Sequence, residues 1–217
     1  MKTDLLQALL AARAARQPVA VVTDLASGAQ RIVPRAADPA LDEAFRFDRS
    51  GVAGEHFIHI HNPPLRLVVV GAVHIAQAVI PFAQAANYDV IVVDPRGAFA
   101  TGARFPGITL HEEWPDEILP RLKLDARTAF MALTHDPKID DAALLAALAS
   151  DVFYIGALGS KKNQATRQDR LAGKGATPQQ LARICGPIGL SIGAQGAPEI
   201  AISIMAEMTR ALRLGQP

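Results

Sequence analysis

Three polar segments gather the side chains most able to do chemistry: Gly71-Ala72-Val73-His74, Thr134-His135-Asp136-Pro137-Lys138 and Gly156-Ala157-Leu158-Gly159-Ser160-Lys161-Lys162. In the third, two glycines permit an unusual backbone path, Ser160 can cap the helix that follows, and Lys161 and Lys162 stand at its first turn. Ammonium groups at a helix N-terminus oppose the macrodipole. A bound anion removes that penalty, because backbone N–H groups, a hydroxyl and two ammonium groups all favour phosphate. The competing reading is a glycine turn before a solvated helix with ordinary surface lysines.

Asp94 follows the Gly71 turn at about the 20-residue spacing at which a carboxylate meets ribose hydroxyls. Arg96, two positions on, could accept a charged ring substituent. Asp94-Pro95-Arg96-Gly97 also reads as a plain turn with a surface ion. His135 and Asp136, with His74 opposite, have the composition of an acid-base set. An aspartate before proline is equally a turn starter, so these residues are assigned to the lining of a ligand pocket and none is assigned as catalytic. His56, His59 and His61 do not converge on a straight strand, where only His59 and His61 share a face. No metal site is expected there. The one cysteine, Cys185, reads as a small buried hydrophobe.

These residues must be positioned by regular elements. After Asn62-Pro63-Pro64, short β-branched runs at 65–70, 90–93, 108–110, 128–133 and 152–155 alternate with helical patterns at 74–87, 115–122, 139–149 and 161–172. That alternation predicts an α/β fold, a Rossmann-like doubly wound parallel sheet with right-handed crossovers. With strand order 3-2-1-4-5, the three polar segments meet at the carboxyl edge, beside the point where strand order reverses. A short helix at 178–184, the loop Gly186-Pro-Ile-Gly189-Leu-Ser-Ile-Gly193 and a closing helix at 198–214 complete this region. The first 62 residues form a small α+β N-terminal region, with a helix at 3–15, a strand pair at 19–23 and 31–33, and an alternating strand at 56–61. The domain organisation expected is therefore 1–62 and 63–217.

Composition removes several function classes. The chain has 22 basic and 21 acidic residues and a net charge of +1, with no long basic run, so nucleic acid is not an expected partner. No secretory signal is evident, and no apolar stretch approaches the roughly 18 residues of a membrane span. A cytoplasmic location is expected. The fingerprint G-x-G-x-x-G/A of a dinucleotide fold is incomplete, with Gly71 and Ala76 in the first and third places and Val73 in the second. An isopropyl group crowds the place where a pyrophosphate would approach. The phosphate anchor is therefore expected at Gly156 to Lys162, with His74 contacting ligand from across the crevice.

As an ordered set, five motifs resemble the XdhC/CoxI family of accessory proteins for molybdenum hydroxylases such as xanthine dehydrogenase. They are Val-Val-Val-Gly71-Ala-Val-His74-Ile-Ala-Gln-Ala, Val-Val-Asp94-Pro-Arg96 with Arg104-Phe105-Pro106, Thr134-His135-Asp136-Pro137-Lys138, Tyr154-Ile-Gly156-Ala-Leu-Gly159-Ser160-Lys161-Lys162, and Gly186-Pro-Ile-Gly189-Leu-Ser-Ile-Gly193-Ala. The resemblance implies a chaperone that binds the molybdenum-pterin cofactor, protects it while its terminal sulfur is installed, and hands it to an apo molybdenum hydroxylase. A cysteine desulfurase as second partner and a homodimeric state are also implied, and the cofactor carries a phosphate, joined in bacterial hydroxylases often to a nucleotide.

The pattern departs from the family at Val73, where members usually carry glycine, at Ser191, often aspartate, and at Gly196-Ala197, usually Thr-Pro. The N-terminal region lacks the family's Gly-Gly-Cys-x-Glu segment. Two other readings stay open. One is an NAD(P)-dependent oxidoreductase, motivated by Gly71 and Asp94; the other is a degenerate partner-binding protein with an empty crevice, motivated by Val73.

Overall fold

The run Leu67-Val68-Val69-Val70 is buried on both faces, as a central strand of a parallel sheet requires. A computed structural model describes residues 2–215; Met1, Gln216 and Pro217 lie outside them. The chain divides into two compact units between Pro63 and Pro64.

In the first unit α1 (Thr3–Ala14) precedes β1 (Val19–Asp24), β2 (Gln30–Pro34), α2 (Asp42–Arg46), β3 (Gly51–Ala53) and β4 (His56–His61). The four strands form an antiparallel sheet in the order β2-β1-β4-β3. Alternation along β1 sends Ala20 and Val22 to a core with Phe45 and Ile60, and Val19 and Val21 to Leu9 and Ala12 of α1. β3 and α2 were not legible in the sequence, being too short to show a period. The rings of His59 and His61 lie with centroids 4.2 Å apart, tilted by 45°.

The second unit runs β5 (Leu65–Val70), α3 (His74–Ala85), β6 (Tyr88–Val93), β7 (Thr109–His111), α4 (Pro115–Leu122), β8 (Thr128–Ala132), α5 (Pro137–Leu148), β9 (Tyr154–Ala157), α6 (Lys161–Gly173), α7 (Pro178–Ala182), β10 (Ile184–Cys185) and α8 (Ala197–Leu214). Its sheet is parallel throughout, in the order β10-β9-β8-β5-β6-β7. This is the expected 3-2-1-4-5 order with a sixth strand added at one edge.

Period-two alternation along β5 builds both layers. Leu67 and Val69 pack with Ala76, Val79 and Ile80 of α3 and with Ile204 and Met208 of α8. Val68 and Val70 pack with Ile118 and Leu119 of α4, Ile139 and Leu144 of α5, and Leu171 of α6. Helices thus cover both faces, as a doubly wound sheet demands.

Two sequence expectations need correction. The short helix ends at Ala182, because Ile184 and Cys185 pair with Ile155 and Gly156 as a strand. The strand expected at 152–155 lies at Tyr154–Ala157, since its register continues to Ala132↔Ala157. Gly156 is therefore a buried strand residue, and a Cβ there would fall 2.4 Å from Ile188 Cδ1. The small residue admits Ile188 against the sheet.

One buried polar bridge ties β9 to α8. The Tyr154 hydroxyl donates to Glu207 Oε2 at 2.7 Å, and Gly189 N–H donates to the same oxygen at 2.9 Å. Replacing Tyr154 by Phe keeps the ring and removes a donor to a buried carboxylate. Urea unfolding is expected to show a loss of about 1 to 3 kcal/mol, and unchanged stability would contradict this role for the bridge.

Candidate functional site

A parallel strand ends at its carboxyl edge with backbone groups that must be satisfied elsewhere. Gly71 ends β5 with its N–H on Val93 O at 2.9 Å and φ of +116°, a region that favours glycine. A Cβ on it would fall 2.9 Å from Thr134 Cγ2 and 3.1 Å from Thr134 N. The glycine therefore brings the loops after β5 and β8 into contact.

Both polar groups of the next peptide are engaged. Ala72 N–H donates to Asp94 Oδ2 at 2.8 Å, and Ala72 O accepts from Arg104 at 2.8 Å. Arg104 also donates to Phe99 O at 2.7 Å and to Gln77 Oε1 at 3.0 Å. Asp94 is fully buried and accepts three more bonds, from Arg96 N, Nε and a terminal nitrogen at 3.0, 2.9 and 2.8 Å. Four donors match the roughly four acceptor positions of a carboxylate. A ribose hydroxyl would have to displace one of them. Burial pushes the Asp94 carboxyl up, but the bonds from Arg96 and Ala72 outweigh it and hold the group below its usual value. The Arg96 guanidinium also lies 4.7 Å from the centre of the Phe99 ring.

Val73 caps α3 without a side-chain hydrogen bond, at φ −97° and ψ 172°. Any residue adopts that extended geometry, so the backbone itself does not require glycine there. His74, the first residue of α3, is exposed.

The loop after β8 wraps around a second buried carboxylate. Asp140, 2% exposed, accepts from Thr134 Oγ1 at 2.6 Å, Thr134 N at 3.2 Å and His135 N at 3.0 Å. Burial nevertheless keeps its carboxyl above the usual value. His135 is exposed and sits at φ +62°, an uncommon conformation for a residue with a Cβ. Asp136 is the N-cap of α5 and accepts from Lys138 N at 2.9 Å.

The loop after β9 carries Gly159 at φ +147° and Ser160 as N-cap of α6, its hydroxyl accepting from Asn163 N at 3.2 Å. Lys161 and Lys162 are exposed. Beneath them lies Arg167, 4% exposed, which donates to Leu158 O and to Gln164 Oε1, each at 2.6 Å. Its Nε is buried with no hydrogen-bond partner, as is Gln164 Nε2. A cavity of about 230 Å³ opens here, lined by His135, Pro137, Asp140, Asn163, Thr166, Arg167 and Arg170.

The structure thus brings His135 and Pro137 of the segment after β8 and Asn163, Thr166, Arg167 and Arg170 of α6 around one cavity and sets the Gly71 loop against Thr134, while the expected residues Lys138, Ser160, Lys161 and Lys162 are exposed and lie outside the cavity's lining. Asp94 and Gly156 face inward. Asp140, Asn163, Thr166, Arg167 and Arg170 were absent from the sequence reading of the site. Arg167 shares the buried face of α6 with Gln164 and Leu171, but Leu171 is the one apolar member of that face, too little to give the sequence a periodic signal. Cys185 is half-buried, and burial followed by the charge of Glu207 pushes its thiol up to about 11. That is the wrong direction for a thiolate ligand or nucleophile. No described helix is long and apolar enough to cross a membrane.

The family described as the XdhC Rossmann domain matches residues 67–208. The Escherichia coli protein YqeB is 29% identical over 160 residues, covering 73% of this chain and 29% of its own. A Bacillus subtilis protein named as a probable xanthine dehydrogenase subunit is 31% identical over 153 residues, covering 70% of this chain and 44% of its own. The molybdenum cofactor insertion chaperone PaoD of E. coli is 29% identical over 155 residues, 71% of this chain and 42% of PaoD. The chain therefore spans less than half the length of these relatives. A crystal structure from Bacillus halodurans, described as a xanthine dehydrogenase, superposes with a TM-score of 0.69 and 25% identity over 96% of this chain and 64% of that one.

The Asp94 cluster predicts acid behaviour with a definite sign. A carboxyl whose folded pKa is depressed contributes stability above its unfolded value and loses it as pH falls through the folded one. Asp94→Asn is expected to lower stability at pH 7 by about 2 kcal/mol, given charged hydrogen bonds of roughly 1.5 to 3 kcal/mol each. The gap between variant and wild type should close as pH falls below about 4. A gap independent of pH in urea titrations would contradict this account.

Proposed function

The chain belongs to the XdhC Rossmann-domain family, and on that footing we propose that it is a cytoplasmic accessory protein that binds the molybdenum-pterin cofactor and delivers it to a molybdenum hydroxylase of the xanthine dehydrogenase type. The observation that carries the reading is the carboxyl edge, where His135 of the β8 loop and Asn163, Thr166 and Arg167 of α6 line a cavity and Lys138, Ser160, Lys161 and Lys162 are exposed in the adjoining segments. The names of two relatives, one a cofactor insertion chaperone and the other tied to xanthine dehydrogenase, support the same role. An apo molybdenum hydroxylase is the proposed partner, with a cysteine desulfurase as sulfur donor and a second copy of this chain completing a homodimer.

The residues present fit the cofactor. An orphaned buried N–H on Arg167 and exposed ammonium groups on Lys161 and Lys162 suit a phosphate, whether the cofactor carries it alone or joined to a nucleotide. His74, Val73 and the Gly71 turn would face the remainder of the ligand, with Arg96 between them and the β8 loop. When bound, the cofactor supplies redox chemistry at molybdenum that is used in the recipient enzyme. What the chain itself contributes is binding, orientation and exclusion of water, which a locked scaffold with charged rim groups can provide without a nucleophile.

The NAD(P) reading gains no specific support. Its carboxylate, Asp94, is engaged by Arg96 and Ala72, and Val73 stands at the pyrophosphate approach.

Released cofactor mixed with the purified protein is expected to co-elute with it in gel filtration. Replacing Lys161 and Lys162 together by alanine should weaken retention by about tenfold, the effect of one charge-assisted contact. Elution of all cofactor in the small-molecule fraction would overturn the proposal. Fluorescence titration with NADH is expected to show no binding at millimolar concentration.

A further inference from the structure

We propose that the cavity between the start of α5 and the flank of α6 is a phosphate-binding subsite whose central cation is Arg167. Neither the exposed lysines nor the glycine turn define it. A buried charge is ordinarily paired. Arg167 is 4% exposed, yet among the described residues it makes no ion pair, and its two hydrogen bonds go to neutral oxygens of Leu158 and Gln164. Its Nε has no partner at all. A guanidinium in that state, in the wall of a 230 Å³ cavity, has no anion in contact and is balanced only at longer range by Asp140 and Asp141, which are themselves engaged by Thr134 and His135 and by Arg170 and Lys174.

The rest of the lining fits the same chemistry. Asn163 offers an amide and His135 a ring nitrogen, and the Thr166 hydroxyl, which donates to Lys162 O at 3.2 Å, would turn from that carbonyl to the anion; all three are exposed residues at the cavity. Arg170 adds a second guanidinium, whose charge is balanced by Asp141 at 3.0 Å. One carboxylate, Asp140, also lines the space, but three of its acceptor positions are filled by Thr134 and His135. The cavity is too small for a whole dinucleotide and ample for one phosphate, so it takes the anionic end of a larger ligand whose body lies along the rim.

The shared chemistry is a tetrahedral phosphate, from free phosphate or from a phosphate ester. The identity of the ester as a pterin cofactor rests on the function proposed above; the anion site does not. Calorimetric titration of the whole protein with inorganic phosphate and with a nucleoside monophosphate tests it, using wild type, Arg167→Gln and Thr166→Val. Wild type is expected to bind at least one of the two saturably, with Arg167→Gln at least tenfold weaker and Thr166→Val severalfold weaker. A tighter ester than inorganic phosphate identifies a ligand-borne group as the source; the reverse identifies the free ion.

No saturable binding of either probe by wild type, or equal affinity in Arg167→Gln, would overturn the proposal. Should Arg167→Gln fail to fold, the exposed-site variants Thr166→Val and Asn163→Ala carry the test, and unchanged affinity in both would overturn it. Phosphate binding without cofactor retention would remove the functional reading and leave this one. Cofactor retention with phosphate affinity unchanged in Arg167→Gln would do the opposite.

Discussion

A buried carboxylate, Asp94, holds the N–H of Ala72 on one oxygen and the whole of Arg96 on both, and the geometry of the carboxyl edge follows from it. A parallel sheet must end its strands in loops whose amides have lost their ladder partners. In this fold, acidic side chains supply the missing acceptors. Asp94 closes the loop after β5, Asp140 closes the loop after β8 through Thr134 and His135, and Glu207 closes the Gly186–Gly193 loop through Gly189. Each is buried, and each has donors enough to make burial tolerable.

That division of labour separates scaffold from rim. Acidic groups that could have met a ligand are turned inward to shape the loops, while the cationic and hydroxyl groups at 135–138 and 160–162 remain outside. Arg104, reaching from the loop after β6 to Ala72 O, fixes the same turn from its other side. A site built this way binds by fixed donors at little reorganisation, which suits the proposed custody of an anionic cofactor more than turnover of a substrate.

The fold was legible because its signals are periodic. Short β-branched runs and longer helical patterns gave the parallel order, and Leu67 to Val70 declared a strand buried on both faces. Asp94 was legible as a position and not as a role: spacing from Gly71 places a carboxylate at the end of β6, but only the conformation of Arg96 shows that it faces its own loop. Gly156 misled for a related reason, since a glycine admitting Ile188 against a strand looks in sequence like one admitting a phosphate. Arg167 was illegible because Gln-Ala-Thr-Arg-Gln-Asp-Arg reads as a solvated helix face. Asp140 and Asp141 stand in an alanine-rich helical pattern that does not single them out, yet both are buried. Polar residues on an inward helix face carry no periodic signature of their own.

The central claim is that the Gly71 turn is already locked and that ligand is held by the loops after β8 and β9. Hydrogen exchange by mass spectrometry, with and without the released cofactor, measures this directly. The account predicts slow exchange at Gly71 and Ala72 in the protein alone, with cofactor-induced protection concentrated at 134–138 and 159–167. Rapid exchange at Gly71 and Ala72 that slows on binding, with 159–167 unchanged, would contradict it.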